Sequence, residues 1–381
     1  MQKRLILVGG GHSHALVLKY WGQKPLSTVD LTLVSDVRET PYSGMLPGHV
    51  AEFYSHAESH IDLGPLAAFA GARFIHDRAI SVNAERNLLI CENQGEIAFD
   101  YLSLDIGSTP YLGGIQGSEY GIVAKPVAQF LQKWQTLLDQ IQSQSPKTLT
   151  VAIAGGGAGG VELAFNVQAR LQRQFPDLSL TLQLWQRGDQ LLPNHNDWAR
   201  QKVMALFTER HIQVFLNQTV TAIAPDLGPD NFPRYQLHTA DGTTQRVNAV
   251  FLLTQASAPD WLRRSVLRND EQGFLLVDAT LKSLSHPHIF AAGDIATIQP
   301  KPCPKAGVFA VRQGRPLFEN LQRILTDQVP RPLTLPDRYL SLIGTGDRKA
   351  IALWGSWRSY GRSWWWLKDW IDRRFMKRLS K

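Results

Sequence analysis

The chain has 381 residues, 44% of them hydrophobic and 19% charged, with a net charge of +7 and two cysteines. That length predicts two or three domains, and the composition excludes disorder, collagen and repeat arrays. Cys91 and Cys303 lie far apart, which excludes a disulfide scaffold or a zinc cluster and fits a reducing compartment; no metal site is expected.

The start, "MQKRLILVGGGHSHALVLKYW", has too short an apolar run for a signal-peptide core. It predicts a strand, a glycine turn and a helix, the context of a dinucleotide fingerprint. Gly9 makes the tight turn, Gly10 follows it, and Gly11 lets the backbone approach a pyrophosphate at the helix N-terminus, beside His12. His14 stands where a third glycine is expected, so helix and strand should pack less closely there. The next strand ends at Ser35 and Asp36, where such units hold the adenosine ribose. "NLLICENQG" predicts a hairpin strand, and "FDYLSLDIGSTPYLGG" a strand running into a turn at Gly107.

"KPVAQFLQKWQTLLDQIQSQSPK" predicts a helix and polar linker. It leads into a second fingerprint, "TLTVAIAGGGAGGVELAFNVQARL", with Gly155, Gly157 and Gly160 all in place. One such turn is weak evidence; two strand-led copies are much stronger. The second unit ends at Gln186 and Arg187, a neutral side chain beside a cation, which admits NADPH as well as NADH. "HPHIFAAGDIATI" is a buried strand ending at Gly293 and Asp294, where the acid serves a ribitol hydroxyl, a helix N-cap or both. "PKAGVFAVRQGRPLFENLQRIL" predicts a helix with Pro304 in its first turn, and "YLSLIGTGDRKAIALWGSW" a hairpin.

The tail holds most of the charge. From Ser356 onward eight Lys/Arg stand against two Asp, a net +6, with five of the eleven tryptophans. The basic pI therefore does not indicate a nucleic-acid partner. Trp364, Leu367, Ile371, Phe375 and Leu379 form a stripe at helical spacing, with Lys368, Asp369, Asp372, Arg373, Lys377 and Arg378 on the other face. A basic face opposite Trp and aliphatic residues over 363–381 suits a helix lying on a membrane surface, or docked on the protein itself or on a second copy. No run is long enough to cross a bilayer. The expected location is cytoplasmic, peripheral on the inner face of a membrane.

The order VGGGHSHA, DYLSLDIGS, AGGGAGGVELA, FAAGD resembles the pyridine nucleotide-disulfide oxidoreductase superfamily, flavoproteins with two dinucleotide-binding domains. Within it, "TPYSGMLPG", "CPKAGVFAVRQGRPL", "LIGTGDRKAIALWG" and "WLKDWIDRRFM" resemble the NADH-dehydrogenase-like module sometimes fused to selenide, water dikinase. The relatives with assigned chemistry are the type II NAD(P)H:quinone oxidoreductases. The resemblance implies an α/β fold of two Rossmann-like domains, an FAD domain (1–114 and 269–328) interrupted by an NAD(P)H domain (148–268). A connecting helix and linker (115–147) and a C-terminal region (329–381) complete it.

It further implies FAD on Gly9, Gly10, Gly11, His12, Ser35, Asp36, Tyr42, Gly107, Gly293, Asp294 and Ala306. NADH or NADPH falls on Gly155, Gly157, Gly160, Gln186 and Arg187. The candidate catalytic residues are Glu162, which relatives place near the nicotinamide or which is a plain first-turn acid, with Lys125 and Lys305. Lys125 either approaches the flavin or is an exposed linker lysine. "TPYSGMLPGHVAEFY" lacks the cysteine pair of disulfide reductases, so no dithiol relay is expected. Tyr42 and Met45 either cover the flavin in its place or pack in the core. Where quinone-reducing relatives carry glutamines, this chain has Val308 and Arg312, with Gln313 adjacent, which weakens that assignment. The reading is an FAD oxidoreductase passing electrons from NAD(P)H to a quinone at the membrane, with a homodimer admissible. The rivals are a flavin reductase for a selenium, sulfur or protein acceptor, and a nucleotide-binding redox sensor without turnover.

Overall fold

In the computed structural model, which describes residues 2–226, 232–336 and 338–379, the first apolar run is the central strand of a parallel sheet. The elements that frame it are β1 (Lys3–Val8), α1 (His12–Gln23), β2 (Val29–Ser35), β3 (Arg73–His76) and β4 (Tyr101–Leu104). Leu5, Ile6, Leu7 and Val8 are all buried because strands lie on both sides and helices cover the faces. The second part comprises β5 (Ile122–Val123), α2 (Val127–Gln144), β6 (Thr148–Ala154), α3 (Ala158–Gln174), β7 (Ser179–Trp185), β8 (Gln213–Phe215) and β9 (Ala249–Leu252). The chain then returns through β10 (Ile289–Ala291) and α4 (Gly307–Leu325). It ends with β11 (Ser341–Gly344), β12 (Ala350–Trp354), β13 (Trp357–Gly361) and α5 (Arg362–Leu379).

The two large sheets share the order of four strands and differ in their edge strand, which comes last in the chain in the first sheet and first in the second. The first runs β10-β4-β1-β2-β3 and the second β5-β9-β6-β7-β8, each parallel throughout. Each central strand feeds a glycine turn and a helix, so each sheet presents a helix N-terminus at the carboxyl ends of its strands, where open α/β sheets bind ligands. β10 joins the first sheet although it follows the whole second one, so the first sheet is assembled from both ends of the chain.

Three expectations are corrected here. Segment 115–147 is not a free connector: β5 pairs with β9, and Phe130, Trp134, Leu137, Leu138 and Ile141 of α2 are buried in the second core. Helix α4 begins at Gly307, three residues after Pro304, with Ala306 as its N-cap. The expected hairpin gains a third strand, β13, as an antiparallel sheet leading directly into α5.

Helix α5 docks on the protein through one face. Trp365, Asp372, Phe375 and Leu379 are buried, while Trp366 and Trp370 are more than half exposed. The sequence stripe placed Lys368 and Asp372 on the solvent face. They turn inward because each is the other's partner, Lys368 Nζ donating to Asp372 Oδ2 at 2.8 Å. Within the described residues no helix is long and apolar enough to cross a membrane.

Candidate cofactor and electron-transfer site

A cleft of about 1160 Å³ runs along the carboxyl ends of the first sheet. Ser35 and Asp36 line one end, Gly9, Gly10 and Gly11 its middle, and Lys125, Asp294 and Gly307 the other end. Gly9 has a φ of +88°, and a Cβ there would stand 2.5 Å from the Asp105 carbonyl oxygen. Only glycine fits this crossing of β1 and β4. Gly11 offers helix α1 no side-chain cap, and the Asp105 carboxylate takes the His14 N–H of its first turn; the helix N-terminus lies in the middle of the cleft lining. Gly107 has a φ of +69° and open space beside it. A long, glycine-floored cleft with a helix N-terminus midway fits a dinucleotide such as FAD.

His14 resolves the departure from the fingerprint. Its ring is fully buried, with Nδ1 2.8 Å from the Gly9 carbonyl oxygen and Nε2 2.8 Å from Ser103 Oγ. The imidazole therefore fills the helix–strand gap with its polar atoms satisfied, and burial lowers its pKa to about 4. Asp105, at the end of β4, accepts from the His14 N–H at 2.9 Å, and burial pushes its carboxyl up to about 7. Asp105 was missed in the sequence; its one signal was an acid directly after a buried strand.

At the far end, Lys125 Nζ lies 3.0 Å from Asp294 Oδ2 and 2.8 Å from Ser108 Oγ. Burial alone would raise the Asp294 carboxyl, but the Lys125 ammonium outweighs it and holds it below the usual value. The structure thus puts Lys125 in the cleft and makes Asp294 its ion-pair partner. His12 also lines this end, its pKa lowered to about 4 by burial.

Other expected residues lie elsewhere. Tyr42 is behind His12, edge-on at 5.2 Å, and packs on Phe375 at 4.6 Å; Ser43 takes the cleft position. Met45 is wholly core. Lys305 turns away to the Ala296 carbonyl and Thr297 Oγ1, its ammonium 4.1 Å over the Phe274 ring, so it is a structural lysine. Ala306 caps α4 while Gly307 faces the cleft. Gly293 lies beneath it, its N–H given to Gln313 Oε1 at 2.7 Å. Gln313 is therefore a buried brace and not a solvated helix residue.

The second glycine turn is tighter still. A Cβ on Gly160 would meet the Gly155 oxygen at 1.8 Å, and one on Gly155 the Leu253 oxygen at 2.2 Å. Gly157 has nothing within 4 Å and leaves α3 uncapped, with free N–H groups for a second diphosphate. Gln186 Oε1 accepts from the Gly156 N–H at 3.0 Å.

Glu162 is past the first turn of α3 and makes a different connection. Its Oε1 accepts from the Gly344 N–H at 2.9 Å and stands 4.0 Å from Lys368 Nζ. Burial raises its carboxyl, with Lys368 opposing. Lys368 also donates to the Gly44 carbonyl, so one ammonium ties α5 to the second sheet's helix and to the first sheet's cofactor loop. Its burial disfavours the charge, but Asp372 and Glu162 more than compensate and raise its pKa. The sequence placed Lys368 in solvent and so missed this cluster. Cys91 and Cys303 are both free; Cys91 is buried, its thiol pushed up to about 11, so neither forms a dithiol. Among the described residues no group of three or more His, Cys, Asp or Glu is arranged to hold a metal ion.

The descriptor of one family, pyridine nucleotide-disulphide oxidoreductase, matches residues 3–314, most of the chain. This chain belongs to that family. It is 27% identical over 328 residues to ferroptosis suppressor protein 1 of Xenopus laevis, covering 81% of this chain and 78% of that one. It is also 27% identical over 220 residues to demethylphylloquinone reductase NdbB of Synechocystis sp., covering 57% and 51%. Among solved structures, NDH2 from Plasmodium falciparum in complex with NADH superposes with a TM-score of 0.81 over 99% of this chain and 97% of that one, at 16% identity. As a member of the family, this chain is an FAD- and NAD(P)H-dependent oxidoreductase, with FAD fitting the first cleft and the nicotinamide nucleotide the second glycine turn.

Proposed function

We propose that this enzyme passes electrons from NAD(P)H to a quinone held in a membrane surface. The observation that carries the reading is the Glu162–Lys368–Asp372 cluster. It joins the nucleotide-binding helix to a C-terminal helix whose outer face bears Trp366, Trp370 and Ile371. The names of relatives such as demethylphylloquinone reductase support a quinone acceptor. With no dithiol to relay electrons, a small acceptor must come close to the flavin itself.

The flavin and nicotinamide supply the hydride chemistry when bound. The protein's part is positional and protic. Lys125 and Asp294 fix polar groups at the ring end of the cleft. Phe375 of α5 packs against both Tyr42 and His12, so the helix that meets the membrane also closes the back of that end. Lys368 holds a proton at Nζ and Glu162, its carboxyl raised by burial, can take or give one; quinone reduction consumes two protons. Outside, Trp354, Trp357, Trp366 and Trp370 are exposed beside Arg358, Arg362 and Arg374, with the Arg374 guanidinium 5.0 Å over the Trp370 ring. Tryptophan and arginine favour the depth of lipid headgroups.

The test is anaerobic: bleach the flavin with NAD(P)H, then add a quinone in anionic vesicles. Reoxidation that depends on the vesicles supports the reading; a bleached flavin that no quinone reoxidises, in a protein that stays in solution, ends it. A second copy covering the tryptophan face would show as a dimer by light scattering that vesicles do not compete with.

A further inference from the structure

We infer that the nucleotide site selects NADPH over NADH, with Gln186 and Arg187 as the residues that read the 2′-phosphate. This deepens the reading of the chain as an NAD(P)H oxidoreductase and rests on it. The tip of β7 is where a carboxylate would hold both ribose hydroxyls of NADH and repel a phosphate. Here the backbone of that residue is fixed from both sides: Gln186 N–H donates to the Phe215 carbonyl at 2.8 Å, and its own carbonyl accepts from Gln218 N–H at 2.9 Å. The side chain is oriented as well. Its oxygen is spent on the Gly156 N–H, so its amide nitrogen, a donor with two hydrogens, faces outward. One of those hydrogens meets the Gln190 carbonyl at 3.3 Å, and among the described residues the other has no protein acceptor. The ribose edge of the site therefore presents N–H and no negative charge.

Arg187 completes the arrangement. Its guanidinium is exposed and steered by one neutral contact, donating to Gln255 Oε1 at 3.1 Å. A guanidinium has five donor hydrogens, so the rest of the fork is available to a phosphate. Among the described residues no carboxylate pairs with it. Asp189 is the nearest acid along the chain, but it is exposed, beyond the turn, and takes no part in holding Gly156.

The experiment uses the holoenzyme and two readouts. Calorimetry compares 2′,5′-ADP with 5′-AMP, which differ only in the 2′-phosphate, and anaerobic stopped-flow compares flavin bleaching by NADPH and NADH. The phosphate should tighten binding by roughly tenfold or more, as one or two charge-assisted hydrogen bonds do. Arg187→Ala should erase most of that gain, weakening 2′,5′-ADP far more than 5′-AMP; Arg187→Lys should restore part of it. Gln186→Glu should reverse the preference. Equal affinity for the two fragments overturns the inference, as does an Arg187→Ala variant that weakens both alike. An NADH preference that Asp189→Asn abolishes overturns it too, by moving ribose recognition to that acid. If neither nucleotide bleaches the flavin, the oxidoreductase reading fails while the fragment ratio still decides this one.

Discussion

Lys368 Nζ stands 4.0 Å from Glu162 Oε1, joining the last helix of the chain to the helix that follows the second glycine turn. Removing the lysine would leave two buried carboxylates facing each other, a cost of about 3–5 kcal/mol for a broken buried pair. Glu162→Gln is the cleaner test, since its amide oxygen can still accept the Gly344 N–H. We expect it to slow quinone reduction at least tenfold while flavin bleaching by NAD(P)H changes little. Because burial raises the Glu162 carboxyl, the wild-type quinone rate should show an ionisation above the ordinary carboxylate range, and that limb should vanish in the variant. An unchanged pH profile removes Glu162 from proton transfer.

Gly157 and Gly160 make an opposed pair. Gly160→Ala drives a Cβ into the Gly155 backbone oxygen at 1.8 Å, and backbone cannot step aside as a side chain can. The expected loss is about 1–3 kcal/mol, from overpacking, seen as a lower Tm even without nucleotide. Gly157→Ala meets nothing within 4 Å, so its Tm should hold while nucleotide affinity falls, because the methyl enters space the diphosphate needs. Equal effects on both measurements would mean that the diphosphate does not lie on this turn.

Restoring the expected glycine at position 14 should harm the protein. His14→Gly removes a fully buried ring and leaves Ser103 Oγ and the Gly9 carbonyl without their partner. Cavity and lost hydrogen bonds together predict about 2–4 kcal/mol of destabilisation. There is a pH signature as well. The folded pKa of about 4 lies below the ordinary 6.5, so the unfolded chain takes up the proton first. His14 then costs nothing above pH 6.5, and stability falls as pH drops from 6.5 toward 4. The variant should be less stable at neutral pH yet lose less on acidification; parallel curves for the two would contradict this.

Much of this was legible in the sequence because it depends on local pattern. Two glycine turns after apolar strands announce two dinucleotide units, and Gly9, Gly157 and Gly160 lie where the spacing put them. What was not legible is what long-range pairing decides. Lys368 and Asp372 look like solvent residues until each is seen to neutralise the other against Glu162. Lys305 looks like a catalytic residue until its ammonium is found over Phe274. The helix at 127–144 was expected, but the short strand at 122–123 before it was not, because a two-residue strand has no periodicity to read. His14 looked like a defect because the fingerprint states which residue is absent, not which hydrogen bonds a replacement can make.

The docking of α5 should loosen in acid before the sheets do. Glu58 Oε1 accepts from Arg373 Nη1 at 2.5 Å and Glu58 Oε2 accepts from Ser55 N–H at 2.8 Å, while the Arg373 guanidinium lies 5.2 Å over the Tyr54 ring. The Arg373 bond, followed by the Ser55 contacts, holds the Glu58 carboxyl down at about 2. A depressed carboxyl adds stability that is complete above its ordinary value of 4.5 and is lost as pH falls from there toward 2. The pair is partly exposed, so its contribution is small, about 1 kcal/mol at most, and weaker still in salt. That suffices to bias a helix held by four buried side chains. Trp365, buried in the dock, should report the change as a red-shifted emission between pH 4.5 and 2 while far-ultraviolet circular dichroism stays constant. Glu58→Gln should shift the baseline at neutral pH and flatten the acid transition. A variant that titrates as the wild type does would remove Glu58 from the acid release.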